Sequence, residues 1–194
     1  MGFDVYGLEP TNPHNVERPT MDWSKEVTEG ERDRFFKDLN AFEEAVPGHY
    51  FRNNVWYWRP LWEFISGACE SILSENDIEA GYSNGGHCIS KTKSKKIAAR
   101  IRALHKKGLI VKYKDNYEIF LEELPDEDCG LCDGTGLRMD KLGIEKREKD
   151  PNFTCNACDG KGKNKHFARR YPFYEENILE FGKFCEESGG FQIC

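Results

Sequence analysis

Long apolar runs are missing from this sequence. No stretch approaches the ~20 consecutive apolar residues that a membrane-spanning helix needs, and the mean hydropathy is −0.73. The opening residues, Met1-Gly-Phe-Asp-Val-Tyr-Gly-Leu8, lack a basic segment followed by an apolar one, so no secretory leader is read there. These absences predict a protein of the cytoplasm with no membrane partner. Recognisable catalytic patterns are scarce too. There is no Walker-type phosphate loop, no H-E-x-x-H and no G-x-G-x-x-G, and His14, His49, His87, His105 and His166 are scattered. The expectation is a protein without an enzymatic centre. Locally, one sign of charge is also missing. Lys91 to Lys114 holds ten Lys and Arg and no Asp or Glu, although the whole chain carries −6. An acidic protein is not drawn to nucleic acid in bulk, but such a stripe suits a local contact with phosphate or an acidic partner.

Cysteine is abundant by contrast, and half of it is patterned. Cys129-Gly-Leu-Cys132-Asp-Gly-Thr-Gly136 and Cys155-Asn-Ala-Cys158-Asp-Gly-Lys-Gly162 both read C-x-x-C-x-G-x-G, with 22 residues between Cys132 and Cys155. Each pair chelates from one tight turn, and four thiolates make a tetrahedral set. The glycines that follow permit positive φ and close backbone approach beside the sulfurs. A redox C-x-x-C more often occurs once. The reading is one structural zinc per chain on Cys129, Cys132, Cys155 and Cys158, with no position left open for a catalytic water. Such cysteines fit a reducing cytosol better than a disulfide scaffold. Cys69 and Cys185 fall at apolar-periodic positions and read as buried thiols. Cys88 beside His87, or Cys194, is left as a weaker candidate for a second metal site.

Periodicity outlines the rest. Gly2–Leu8 reads as a strand and 11–28 as an extended loop. Phe35, Leu39, Phe42 and Val46 predict a helix over 31–46, ended by Pro47-Gly48. Pro60 suits the first turn of a helix whose face continues through Leu61, Phe64, Ile65, Ala68 and Leu73. Residues 74–89 read as a connection rich in Gly, Asn and Ser. Ser90 caps a basic helix that carries Ile97, Ala98, Ile101 and Leu104 inward, with Gly108 just past its end. Residues 109–124 fit either a hairpin, with Leu109–Tyr113 as a strand and Asp115-Asn116 as its turn, or a helix, and a helix over 113–124 is favoured. Residues 137–154, half of them charged, read as a solvated loop or hairpin tip. A last helix starts at Pro172 and runs to about Glu187, and the apolar Phe191–Cys194 packs into a core. The fold class is mainly α (α+β). A helical body of 1–124 plus 166–194 carries an inserted, β-containing zinc module at 125–165.

Two further segments are candidates for ligand contact. In 50–62, Trp56 and Trp58 offer faces for stacking, Arg52 and Arg59 offer phosphate contacts, and Asn54 offers a hydrogen bond. The same aromatics also read as core anchors. On the basic helix, Lys95, Lys96, Arg100 and Arg102 suit a phosphate or an acidic partner. A winged-helix use of that helix requires 109–121 to be a hairpin.

The paired motif resembles half of the cysteine-rich module of DnaJ-type chaperones, which has four such repeats forming two zinc sites. No His-Pro-Asp tripeptide occurs, so no J-domain accompanies it. Over its length the chain is similar to a group of bacteriophage- and prophage-encoded proteins, through Gly2–Leu8, Tyr50–Trp56, Arg59-Pro-Leu-Trp62 and Ser188–Cys194. The resemblance implies a zinc-stabilised protein acting in the host cytosol, with a host protein as partner. The alternative is a nucleic acid or nucleotide-like signal held by the basic helix or the 50–62 segment.

Overall fold

The computed structural model describes residues 2–194, and these divide into two compact units. One comprises the residues up to Lys114 together with Phe173–Cys194; the other is Asp115–Pro172.

The larger unit holds an antiparallel sheet of four short strands in the order β2-β1-β6-β3. These are β1 (Gly2–Gly7), β2 (Tyr50–Asn54), β3 (His87–Ser90) and β6 (Gly190–Ile193). β1 pairs with β2 from Gly2↔Asn54 to Tyr6↔Tyr50, and β6 lies between β1 and β3, with Val5↔Ile193 and His87↔Ile193. Alternation then turns Phe3, Val5, Ile89, Phe191 and Ile193 inward, all of them buried. The apolar chain end thus contributes a central strand, a role that four residues after two glycines do not advertise.

The helices of this unit are α1 (Glu29–Ala45), α2 (Val55–Ala68), α3 (Glu75–Ala80), α4 (Lys91–Lys106) and α7 (Glu175–Glu187), with the start of α5 (Leu109–Glu123). α2 begins five residues before the expected Pro60. Asn54 caps it, its Oδ1 accepting from the N–H groups of Trp56 (2.9 Å) and Tyr57 (3.1 Å), so Pro60 sits inside the helix. α2 stacks its indoles on the sheet. Phe3 and Trp58 are 5.1 Å apart and nearly parallel, and Trp58 and Trp62 are 5.5 Å apart. Both indole N–H groups are satisfied, Trp58 by the Gly81 carbonyl at 2.7 Å and Trp62 by that of Ile78 at 2.9 Å. Gly81 is needed for this, because a Cβ there would come within 2.0 Å of the Trp62 ring. α4 and α7 pack on each other, with Gly182 leaving room for Ile101.

Residues 74–89 are thus more than a connection. Ser74 and Asp77 form a capping box that starts α3, and β3 follows it. The Ser90 cap of α4 is present, and Gly108 takes positive φ just beyond it. The ambiguous segment is the helix α5 and no hairpin, so the winged-helix reading fails with it. α7 starts at Glu175, three residues after Pro172.

The smaller unit contains the rest of α5, a ladder of β4 (Glu127–Asp128) with β5 (Lys163–Asn164), the helix α6 (Lys141–Lys149) and a 3₁₀ turn at Phe167–Arg170. α6 corrects the solvated-loop expectation for 137–154. Asp140 accepts from the Gly143 N–H at 3.1 Å, and Lys146, Arg147 and Lys149 sit on the negative helix end. Its polarity hid it, because a helix this exposed carries no apolar stripe to read.

Candidate metal centre

The four cysteines converge. All four sulfurs lie within 4.8 Å of one another and all four residues are buried. The Cys129 and Cys155 sulfurs are 3.8 Å apart, and those of Cys132 and Cys158 are 3.7 Å apart. A zinc–thiolate bond of ~2.3 Å gives a tetrahedron edge of ~3.8 Å, whereas a disulfide needs ~2.05 Å. The spacing therefore fits four ligands around one ion and no disulfide.

The backbone explains how the sulfurs are brought together. The two knuckles exchange hydrogen bonds with each other. Cys129 N–H donates to the Gly162 carbonyl and Cys155 N–H to the Gly136 carbonyl, both at 2.8 Å. Within each knuckle the last glycine N–H points at the second sulfur, Gly136 to Cys132 at 3.3 Å and Gly162 to Cys158 at 3.2 Å. Such N–H···S contacts stabilise thiolate. Gly136 and Gly162 both have positive φ, and a Cβ on either would come within about 2.3 Å of a carbonyl oxygen of the opposite knuckle. Asp133 and Asp159 also take positive φ, at matching places after Cys132 and Cys158. The repeat in sequence is thus a repeat in backbone conformation.

Charge closes the module. Asp126, Glu127 and Asp128 at its entry pair with Arg169 (3.3 Å), His166 (3.2 Å) and Lys163 (2.8 Å) at its exit. Arg169 also donates from Nε to the Leu121 carbonyl at 2.8 Å and from Nη2 to the Glu122 and Leu124 carbonyls, so it caps the end of α5. Contacts this exposed to solvent contribute little to stability on their own.

The other candidates are not brought together. Trp58 is fully buried in the indole stack, so neither ring face is free for a base. Asn54 is spent on the α2 cap, and Arg52 is exposed beside Asp4 at 3.8 Å. Arg59 is exposed and Trp56 half-buried. On α4, Lys95, Lys96 and Arg100 are exposed, and Arg102 is paired with Glu186. Cys69 and Cys185 are buried, Cys88 is exposed, and among the described residues neither Cys88 nor Cys194 joins a metal-ligating cluster.

One polar cluster escaped the sequence reading. Asp77, with its side chain 6% exposed, accepts from His87 Nε2 at 2.9 Å, from Lys93 Nζ, and from the Ser74 N–H and hydroxyl at 2.7 Å each. It joins α3, β3 and α4. Burial opposes its charge, but these hydrogen bonds prevail and hold the carboxyl well below the usual carboxylate range. The capping pattern Ser74-x-x-Asp77 is its only trace in sequence. Beside it, Gly81-Tyr-Ser-Asn-Gly85 spells G-x-S-x-G, the nucleophile-elbow pattern. The context is wrong for that role: it follows a helix, the Ser83 hydroxyl donates to the Ala80 carbonyl at 3.1 Å, and no hydrogen bond joins it to His87.

No protein-family model, curated protein or solved structure matches the chain. No helix among the described residues is long and apolar enough to cross a membrane. The geometry therefore stands by itself: four cysteines arranged as one metal site.

Proposed function

We propose that this chain is a zinc-stabilised binding protein without a catalytic centre, of phage or prophage origin, whose partner is a host protein in the cytoplasm. The observation that carries the zinc assignment is what the smaller unit lacks. Between residues 115 and 172 the only apolar side chains buried are the four cysteines, while Ile119, Phe120, Leu137, Met139, Leu142 and Ile144 are exposed. A unit without an apolar core needs its metal, and four thiolates favour zinc over hard cations. With every ligand position filled by cysteine, the ion has no site for substrate. It acts as a staple.

Metal analysis tests the first part. One zinc per chain is expected, and Cys132→Ser should release it; full metal retained without Cys132, or iron in place of zinc, overturns the assignment. The partner is tested by affinity purification from bacterial host cells, where recovery of no specific protein counts against the reading. The runner-up is a phosphate-bearing ligand on α4, favoured by three exposed cations, Lys95, Lys96 and Arg100, that form no ion pair among the described residues. Changing all three together with Arg102 to Ala should abolish such binding, and binding that survives removes the helix from consideration.

A further inference from the structure

A groove of about 400 Å³ lies between α1 and the segment that precedes it. Met21, Val27 and Phe35 supply its apolar lining. Phe35 also belongs to a three-ring cluster. Trp23 meets it edge-on with centroids 5.6 Å apart, Phe36 meets it at 5.5 Å, and Trp23 and Phe36 are 6.4 Å apart. Trp23 is 55% exposed and Phe36 47%. α1 buries a single side chain, Phe42, so this aromatic cluster lies outside the core of the unit. Single exposed apolar residues are ordinary, but a contiguous aromatic cluster that shares Phe35 with a groove marks an interaction surface.

Charge identifies the occupant. Residues 11–45 carry nine carboxylates against five Lys and Arg. At the groove itself, Lys25 is engaged with Asp22 at 3.0 Å, and Arg34 lines it together with the capping carboxylate Glu31. Glu26 and Asp38 also line the groove, and neither forms an ion pair among the described residues. A groove lined by apolar side chains, one of them the Phe35 ring, and by four carboxylates against two cations suits a cation with an aliphatic stem. Lys and Arg provide both, laying the stem on apolar surface and the charge over a ring or beside a carboxylate.

We infer that the groove between α1 and residues 19–27 docks a basic, lysine- or arginine-bearing segment of a protein partner. This rests on reading the chain as a binding protein and specifies the chemistry of its partner.

The test uses the full-length protein with two short amphipathic probe peptides, one of lysine and leucine, the other of glutamate and leucine. Titration followed by calorimetry should show binding of the lysine peptide only, weakening as salt is raised. The double variant Trp23→Ala/Phe36→Ala should lose about tenfold or more in affinity, the loss of the ring cluster and its cation contacts. Glu26→Lys/Asp38→Lys should lose as much while leaving the rings in place. Both sites are exposed, and unchanged helical circular dichroism checks that the variants fold. Equal binding of both peptides overturns the proposal, since the groove would then read apolar area alone. Affinity unaffected by either variant also overturns it, as does self-association that the ring variant abolishes, which would assign the face to a second copy. If the wild type captures a host protein and both variants capture it equally, the groove is wrong and the binding-protein reading stands. If the peptide binds as expected but no host protein is recovered, that reading fails and the groove stands.

Discussion

In the larger unit the bulkiest fully buried side chains are Trp58, Trp62, Phe181 and Phe191; in Asp115–Pro172 the buried apolar side chains are four cysteines. The first unit is held by stacked rings on a sheet, so its stability is spread over many contacts. The second concentrates its stability at one point. Aromatic packing tolerates the loss of a member at a few kcal/mol, whereas a metal site without its ion leaves the unit with nothing buried to hold it. The difference predicts that the two units respond to different insults.

Metal removal should have the largest effect. A structural four-thiolate site binds zinc with ~10–16 kcal/mol near neutral pH, and in such modules this is folding free energy. Chelation should therefore raise amide exchange across 125–165 to that of an unfolded segment while leaving the amides of β1, β6 and α2 protected. Acid should act in the same direction, because protons compete with the metal for thiolate. Protection of 125–165 that survives metal loss would break the contrast, since that unit would then have a source of stability other than the site.

Trp58→Ala is the corresponding cut in the larger unit. It removes the middle ring of the Phe3–Trp58–Trp62 stack and leaves the Gly81 carbonyl without its donor. A cost of ~3–5 kcal/mol is expected in urea denaturation, with metal content unchanged. Loss of metal in this variant would show that the two units share their stability.

Asp77→Asn should cost ~3 kcal/mol, because it breaks a buried carboxylate's pairing with Lys93 and His87. The sign of its pH dependence follows from the depressed folded value. The contribution is fully present above the unfolded pKa of ~3.9 and is lost as pH falls through the lower folded value. Wild type should therefore lose stability progressively below about pH 4, and the Asn variant should lack that part of the acid dependence. Denaturation midpoints measured from pH 3 to 7, about the span over which carboxylates titrate, compare the two. Parallel curves would mean that Asp77 is not the group responsible.

What the sequence disclosed follows the same division. The four-cysteine cluster was legible because chelation imposes a fixed spacing, and α4 because Ser90, its apolar stripe and Gly108 agree with one another. The sheet was mostly hidden. β2, β3 and β6 have four or five residues each, too few for alternation to stand out, and what makes them strands is their pairing with one another. The Asp77 cluster was hidden for a related reason: its members lie on three elements, and only Ser74 and Asp77 are near in sequence. The 50–62 segment misled by residue type. Trp and Arg together suit a ligand site, but Trp58 faces the sheet and Asn54 is committed to its helix.

The smallest expected effect is at α1. Thr28 and Glu31 form a reciprocal capping box, with the Thr28 N–H donating to Glu31 Oε2 at 2.9 Å and the Thr28 hydroxyl accepting from the Glu31 N–H at 3.4 Å. Removing such a cap costs ~1 kcal/mol. Elsewhere in the unit that loss would be absorbed by packing. α1 buries only Phe42, so its N-terminal turns depend on the cap and on the ring cluster of Trp23, Phe35 and Phe36. Thr28→Ala should therefore leave the denaturation midpoint of the aromatic core almost unchanged while speeding amide exchange several-fold in the first turns of α1. A full shift of the core midpoint would mean that α1 folds as part of the core. The groove that α1 bounds would then be a rigid surface fixed to that core.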